Sequence, residues 1–104
     1  MMEASIERTT DVNGHAELHV TLTGTCDESS AKNACLEFNR ELKSGPVRRA
    51  IVETTALQFD SQNDRQLYHV VSVLYIASQI AERFQLVDGH SRKRQLLELL
   101  STAK

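Results

Sequence analysis

Proline occurs once in this chain, glycine four times, cysteine twice and tryptophan not at all. Each scarcity excludes something. Two cysteines cannot supply the disulfide framework of a small secreted scaffold, so Cys26 and Cys35 are expected as reduced thiols. With so few glycines there is no G-x-G-x-x-G and no G-x-x-x-x-G-K-[ST], the loops that bring backbone N–H groups against a phosphate. G-x-S-x-G, H-E-x-x-H and C-x-x-C are also missing, and an enzyme, a cofactor or a bound metal is not expected. Neither sign of charge dominates: twelve Lys and Arg stand against fourteen Asp and Glu, a net charge of −2. Nothing in that balance calls for nucleic acid as a partner. The longest nearly apolar stretch, Val70 to Ile80, is broken by Ser72, Ser78 and Gln79 and falls short of the ~20 residues that span a bilayer, so no membrane insertion is expected. The opening Met-Met-Glu-Ala-Ser-Ile-Glu-Arg has no basic region followed by an apolar run, does not read as a signal peptide, and leads to an expected cytoplasmic location.

What is present reads as one domain over residues 1–104, with 40% hydrophobic and 25% charged residues and no linker or internal repeat. Asn13-Gly14 predicts a tight hairpin turn. Leu18, Val20 and Leu22 alternate with polar residues as a half-buried strand does, and Ala4, Ile6 and Arg8 give a weaker edge-strand pattern before the turn. Asp27 is placed to cap a helix bearing Ala31, Ala34, Cys35, Phe38 and Leu42, which Gly45-Pro46 closes. Ala50-Ile51-Val52 reads as a strand buried on both faces. A turn over Asp60 to Asp64 opens the longest helix, with Leu67, Val70, Val71, Leu74, Ala77 or Ser78, and Ala81 along its stripe. Phe84, Leu86 and Val87 make a last strand, and Leu96, Leu97 and Leu100 are the packing face of a terminal helix. The fold class is therefore α/β: a small mixed sheet of about four strands with an N-terminal hairpin and three helices.

The usual chemistry-bearing residues are scattered. His15 and His19 on a strand are about 13 Å apart, too far to share a metal ion. His69 and His90 have no partner at ligand spacing. Cys35 reads as a core residue and Cys26, beside Asp27, has no nearby cation to favour its thiolate. Arg92-Lys93-Arg94 reads as a solvated helix face. The segment Phe59-Asp60-Ser61-Gln62-Asn63-Asp64 is more informative, because it follows a buried strand and opens a helix whose first N–H groups lack intrahelical acceptors. Ser61 and Asp64 match the [ST]-x-x-[DE] capping box. A phosphate on Ser61 would meet the helix N-terminus on one side and Asp60 and Asp64 on the other.

Leu22-Thr23-Gly24-Thr25-Cys26-Asp27 is similar to the strand-ending Leu-Thr-Gly-x-x-Asp of STAS domains, the sulfate-transporter and anti-sigma-factor-antagonist group. Asp60-Ser61 resembles the start of that family's Asp-Ser-(Ser/Thr)-Gly-Leu loop, with Asn63 in place of Gly and Asp64 in place of Leu or Val. The resemblance covers nearly the whole chain in element order. It implies a STAS-like fold and a protein-interaction module whose partner, such as a serine kinase acting as an anti-sigma factor, docks on a rim containing Gly24, Asp27, Asp60, Ser61, Asn63 and Asp64. It further implies phosphorylation of Ser61 as the releasing step. The resemblance also implies a second reading, STAS-like or Sec14-like handling of a lipid or apolar ligand, or a place in a transport complex, for which the apolar surface of Val70, Val71, Val73, Leu74, Tyr75 and Ile76 is the expected pocket. That surface is alternatively the face of a homodimer.

Overall fold

The computed structural model describes residues 1–60 and 62–103. The elements run β1 (Glu3–Thr10), β2 (Ala16–Thr25), α1 (Glu28–Lys43), β3 (Val47–Glu53), β4 (Leu57–Gln58), α2 (Asp64–Ile80), β5 (Ala81–Val87) and α3 (His90–Ala103). The sheet has the order β1-β2-β3-β5, with β1 antiparallel to β2 and the remaining neighbours parallel. The expected mixed sheet with an N-terminal hairpin and three helices is therefore present, and β4 adds to it by pairing with Gly24 and Thr25 at the end of β2. Two residues are too few to show a period, which is why β4 escapes a sequence reading.

The hairpin differs from the expected two-residue turn. Only Gly14 takes a positive φ, of 82°. Gly14 N–H donates to Asp11 O at 3.0 Å and Asp11 N–H to His15 O at 2.9 Å, which leaves Val12, Asn13 and Gly14 as the loop. The Asp11 carboxylate accepts from Asn13 N–H and His15 N–H, so an acidic side chain does the work expected of Asn13. His15 thus closes the loop one residue before β2 rather than lying on the strand, and its Nδ1 accepts from Arg48 at 2.9 Å.

Leu18, Val20 and Leu22 of β2 and Ala50 and Val52 of β3 point to one face of the sheet and are at most 1% exposed. Ala31, Ala34 and Phe38 of α1 and Val70, Val73, Leu74 and Ala77 of α2 close over that face, and Leu96 and Leu100 complete the core from α3. Ile51 projects to the other face and is half-buried, so β3 is not buried on both sides as its apolar run suggested. Glu7, His19, Glu53 and Gln85 on that second face are exposed. Leu97 is 39% exposed and Leu42 45%, because each lies off the stripe that meets the core. Ala81, expected on the stripe of α2, is already the first residue of β5.

Two arginines tie the ends of helices and strands together. Arg8 Nη2 donates to the carbonyls of Glu41 and Gly45, both at 3.2 Å, and places a cation where the α1 dipole is negative. Arg92 is not on a solvated face. Its Nη2 lies 3.3 Å from Asp88 Oδ2, donates to Thr54 O at 3.3 Å and Leu57 O at 3.1 Å, and its guanidinium stacks 4.2 Å from the centroid of the Phe59 ring. The Asp88 side chain is 2% exposed and also accepts from the Thr54 hydroxyl at 2.7 Å. One side chain thereby holds the end of β5, the loop after β3 and the approach to Asp60 together. Arg94, by contrast, pairs with Glu98 in full solvent exposure.

Candidate functional site

The N-terminal ends of α1 and α2 come side by side, and each is capped by its own side chain. Asp27 Oδ1 accepts from Ser30 N–H at 2.8 Å while Asp27 N–H donates to Ser30 Oγ at 3.2 Å, a reciprocal box that satisfies two backbone donors. The Ser30 N–H, and after it the Ser30 hydroxyl, hold the Asp27 carboxyl below the ordinary carboxylate range. It is the expected cap of α1.

At α2 the cap is Asn63, whose Oδ1 accepts from Arg65 N–H at 3.1 Å and Gln66 N–H at 3.2 Å. This replaces the expected box between Ser61 and Asp64: the helix starts at Asp64, and the residue immediately before it carries the cap. Ser61 itself lies outside the described residues. Asp60 organises the loop before the helix, with its N–H donating to Gln66 Oε1 at 2.7 Å and its carboxylate accepting from Gln62 N–H at 2.9 Å.

Asp27 and Asn63 line one depression of about 310 Å³ together with Cys26, Glu28, Arg65, Gln66 and His69. It opens, through Glu28 and His69, into a groove of about 580 Å³ between α1 and α2 lined by Ala31, Lys32, Cys35, Leu36, Tyr68 and Ser72. Leu36 is 62% exposed and Tyr68 69%, both unusual for side chains of their size. Asp64 lies on the other side of Tyr68, in a depression with Leu67, Val71 and Leu99 that faces α3. The structure thus unites Asp27 with Asn63 and separates both from Asp64.

Gly24 has a supporting part. At φ +81° it occupies a conformation that L side chains rarely adopt, and a Cβ there would run into the backbone carbonyl of Met1. Cys26 is 1% exposed, and burial together with the Asp27 charge pushes its thiol up to about 11. Burial raises Cys35 also, so neither thiol has the thiolate character of a nucleophile. Among the described residues, no group of three or more His, Cys, Asp or Glu side chains is placed to hold a metal ion, and no helix is long and apolar enough to cross a membrane.

Arg65, Tyr68, His69 and Leu36 were not singled out by sequence as parts of this site, although Tyr68 does carry a signal. It is an aromatic one position from the apolar stripe of α2, between Leu67 and Val70. A scan against protein-family models finds no match for this chain, and a search of curated proteins finds none.

Proposed function

We propose that this protein is a non-enzymatic interaction module of the STAS type, resembling an anti-sigma-factor antagonist, and that a protein partner docks across the N-terminal ends of α1 and α2. The observation that carries this reading is the run from the polar depression at Asp27 and Asn63 into the apolar groove flanked by Leu36 and Tyr68. A polar rim beside a well-exposed aromatic anchor is the usual composition of a protein-recognition surface. The partner class is a serine kinase of the anti-sigma type, and Ser61, by the resemblance of Asp60-Ser61 to the phosphorylated loop of that family, is the switch. A phosphate of about −2 charge set into a desolvated interface costs several kcal/mol, enough to release the partner.

The lipid-binding alternative rested on surplus apolar surface along α2. That surface is used in packing: Val70, Val73 and Leu74 are at most 1% exposed, and Val71, Tyr75 and Ile76 pack against the same core.

The test pairs the protein with the anti-sigma-type serine kinase of its own genome and ATP. Phosphate on Ser61 by mass spectrometry, together with weaker kinase binding by Ser61→Asp and Tyr68→Ala, is the expected result. No phosphate, with binding unchanged in both variants, overturns the proposal.

A further inference from the structure

We propose that the outer edge of β1 pairs antiparallel with β1 of a second copy of this chain, with Ile6 on the two-fold axis, to give one continuous sheet through both copies. The strand presents what such pairing needs. Its register with β2 runs unbroken from Glu3↔Thr23 to Thr10↔Ala16, so no bulge bends it away, and it contains no proline. Among the described residues no strand occupies its other side. The core side of the edge is also incompletely covered. Ala4 and Ile6 are only half-buried where the β2 residues beside them, Leu22 and Val20, are at most 1% exposed. A depression of about 320 Å³ opens between Met2, Ala4 and the Ser30–Glu37 side of α1.

The charges of β1 select the occupant and the register. Glu3, Ser5, Glu7 and Thr9 face away from the core, while Ala4, Ile6 and Arg8 face the helices. A self-pairing that keeps the two core faces together must match odd residues with odd and even with even. Centring it on Ser5 sets Glu3 against Glu7 of the second copy; centring it on Glu7 or on Arg8 sets that charge against itself. Each of these opposes like charges directly, which is unfavourable, and centring on Ala4 avoids that only by pairing no more of the strand than Glu3 to Ser5. Centred on Ile6, Glu3 meets Thr9, Ser5 meets Glu7, and Arg8 meets Ala4. No like charges oppose in this register, and Ile6 packs on Ile6 at the axis. Arg8 brings its own partners, because its guanidinium already serves the Glu41 and Gly45 carbonyls. The contact is self-complementary, as closed two-fold association requires.

The decisive position is Ser5, which within its own copy faces the neutral Thr21 and can change charge without a direct conflict there. Sedimentation equilibrium of the full chain across the micromolar range measures the dimer dissociation constant, and circular dichroism with urea midpoints confirms that each variant is folded. Ser5→Glu sets two like-charge pairs across the dimer and raises the dissociation constant about tenfold, and Ser5→Lys sets two opposite-charge pairs and lowers it about tenfold. Gln85→Glu, on the opposite edge strand β5, leaves it unchanged. A wild-type chain monomeric throughout the range overturns the proposal and leaves the edge to an extended peptide of another protein. A dimer that ignores the sign of the charge at residue 5, or that responds at residue 85 instead, overturns it as well. These outcomes are independent of kinase docking, which uses the α1 and α2 face.

Discussion

Replacing Arg92 by alanine removes the one cation that, among the described residues, reaches Asp88, a carboxylate whose side chain is 2% exposed. It also deletes the donors to Thr54 O and Leu57 O and the stacking on Phe59. Breaking a buried ion pair from one side costs about 3–5 kcal/mol, because the remaining charge is left without its partner. Two facts place this case at the low end. The Arg92 side chain is 32% exposed, so water enters its place, and Asp88 keeps the Thr54 hydroxyl and the Gly89 N–H as donors. The expected loss is therefore about 3 kcal/mol. With a urea slope of roughly 1–1.5 kcal/mol per M for a domain of this size, the unfolding midpoint falls by about 2–3 M. Arg94→Ala is the matched control: its pair with Glu98 has side chains 80% and 71% exposed and is worth no more than about 0.5 kcal/mol. Equal midpoints for the two alanine variants would refute the reasoning, since they would show that Arg92 behaves as a solvated side chain.

Two further outcomes follow from the helix caps and the hairpin turn. Asn63→Ala destabilises the protein by about 1 kcal/mol in urea unfolding, as loss of a helix cap does, while Asn63→Asp retains the acceptor and most of the stability. The Asp11 and Asp27 carboxyls are both held below the ordinary carboxylate range, the former first by the His15 N–H and the latter first by the Ser30 N–H. Their contribution is fully present above the unfolded carboxylate value and is lost as pH falls through the lower, folded one, so the urea midpoint declines only on the acid side of about pH 4. In Asp27→Asn that decline is shallower, and an unchanged acid profile would contradict the assignment.

The order of helices and strands was readable because the hydrophobic period changes cleanly between elements. Leu18, Val20 and Leu22 alternate, whereas Val70, Leu74 and Ala77 recur at helical spacing. Asp27 was readable as a cap because a capping box is local, spanning Asp27 to Ser30. At α2 the same logic selected Ser61, since Ser61-x-x-Asp64 is also a valid box; Asn63 holds the cap because the helix begins one residue after it. Arg92 was misread because its partners Thr54 and Leu57 lie 38 and 35 residues away, brought to it by the β3-to-β5 pairing. For the same reason the acidic rim could be only partly assembled from sequence. Asp27 and Asn63 share a depression, while Asp64, next in the chain to Asn63, turns around the helix toward α3. Asp60, meanwhile, spends its carboxylate on the Gln62 N–H within its own loop.

The central claim, that a protein partner docks on the N-terminal ends of α1 and α2, is tested most directly by an amide chemical-shift map of the isotope-labelled chain titrated with the anti-sigma-type serine kinase. The account predicts the largest changes at Asp27, Glu28, Asn63, Tyr68 and His69, with Pro46-side residues such as Val47 and Arg48 at the opposite end unaffected. Changes concentrated on the β1 edge or around Arg48, with the α1 and α2 ends silent, would contradict it.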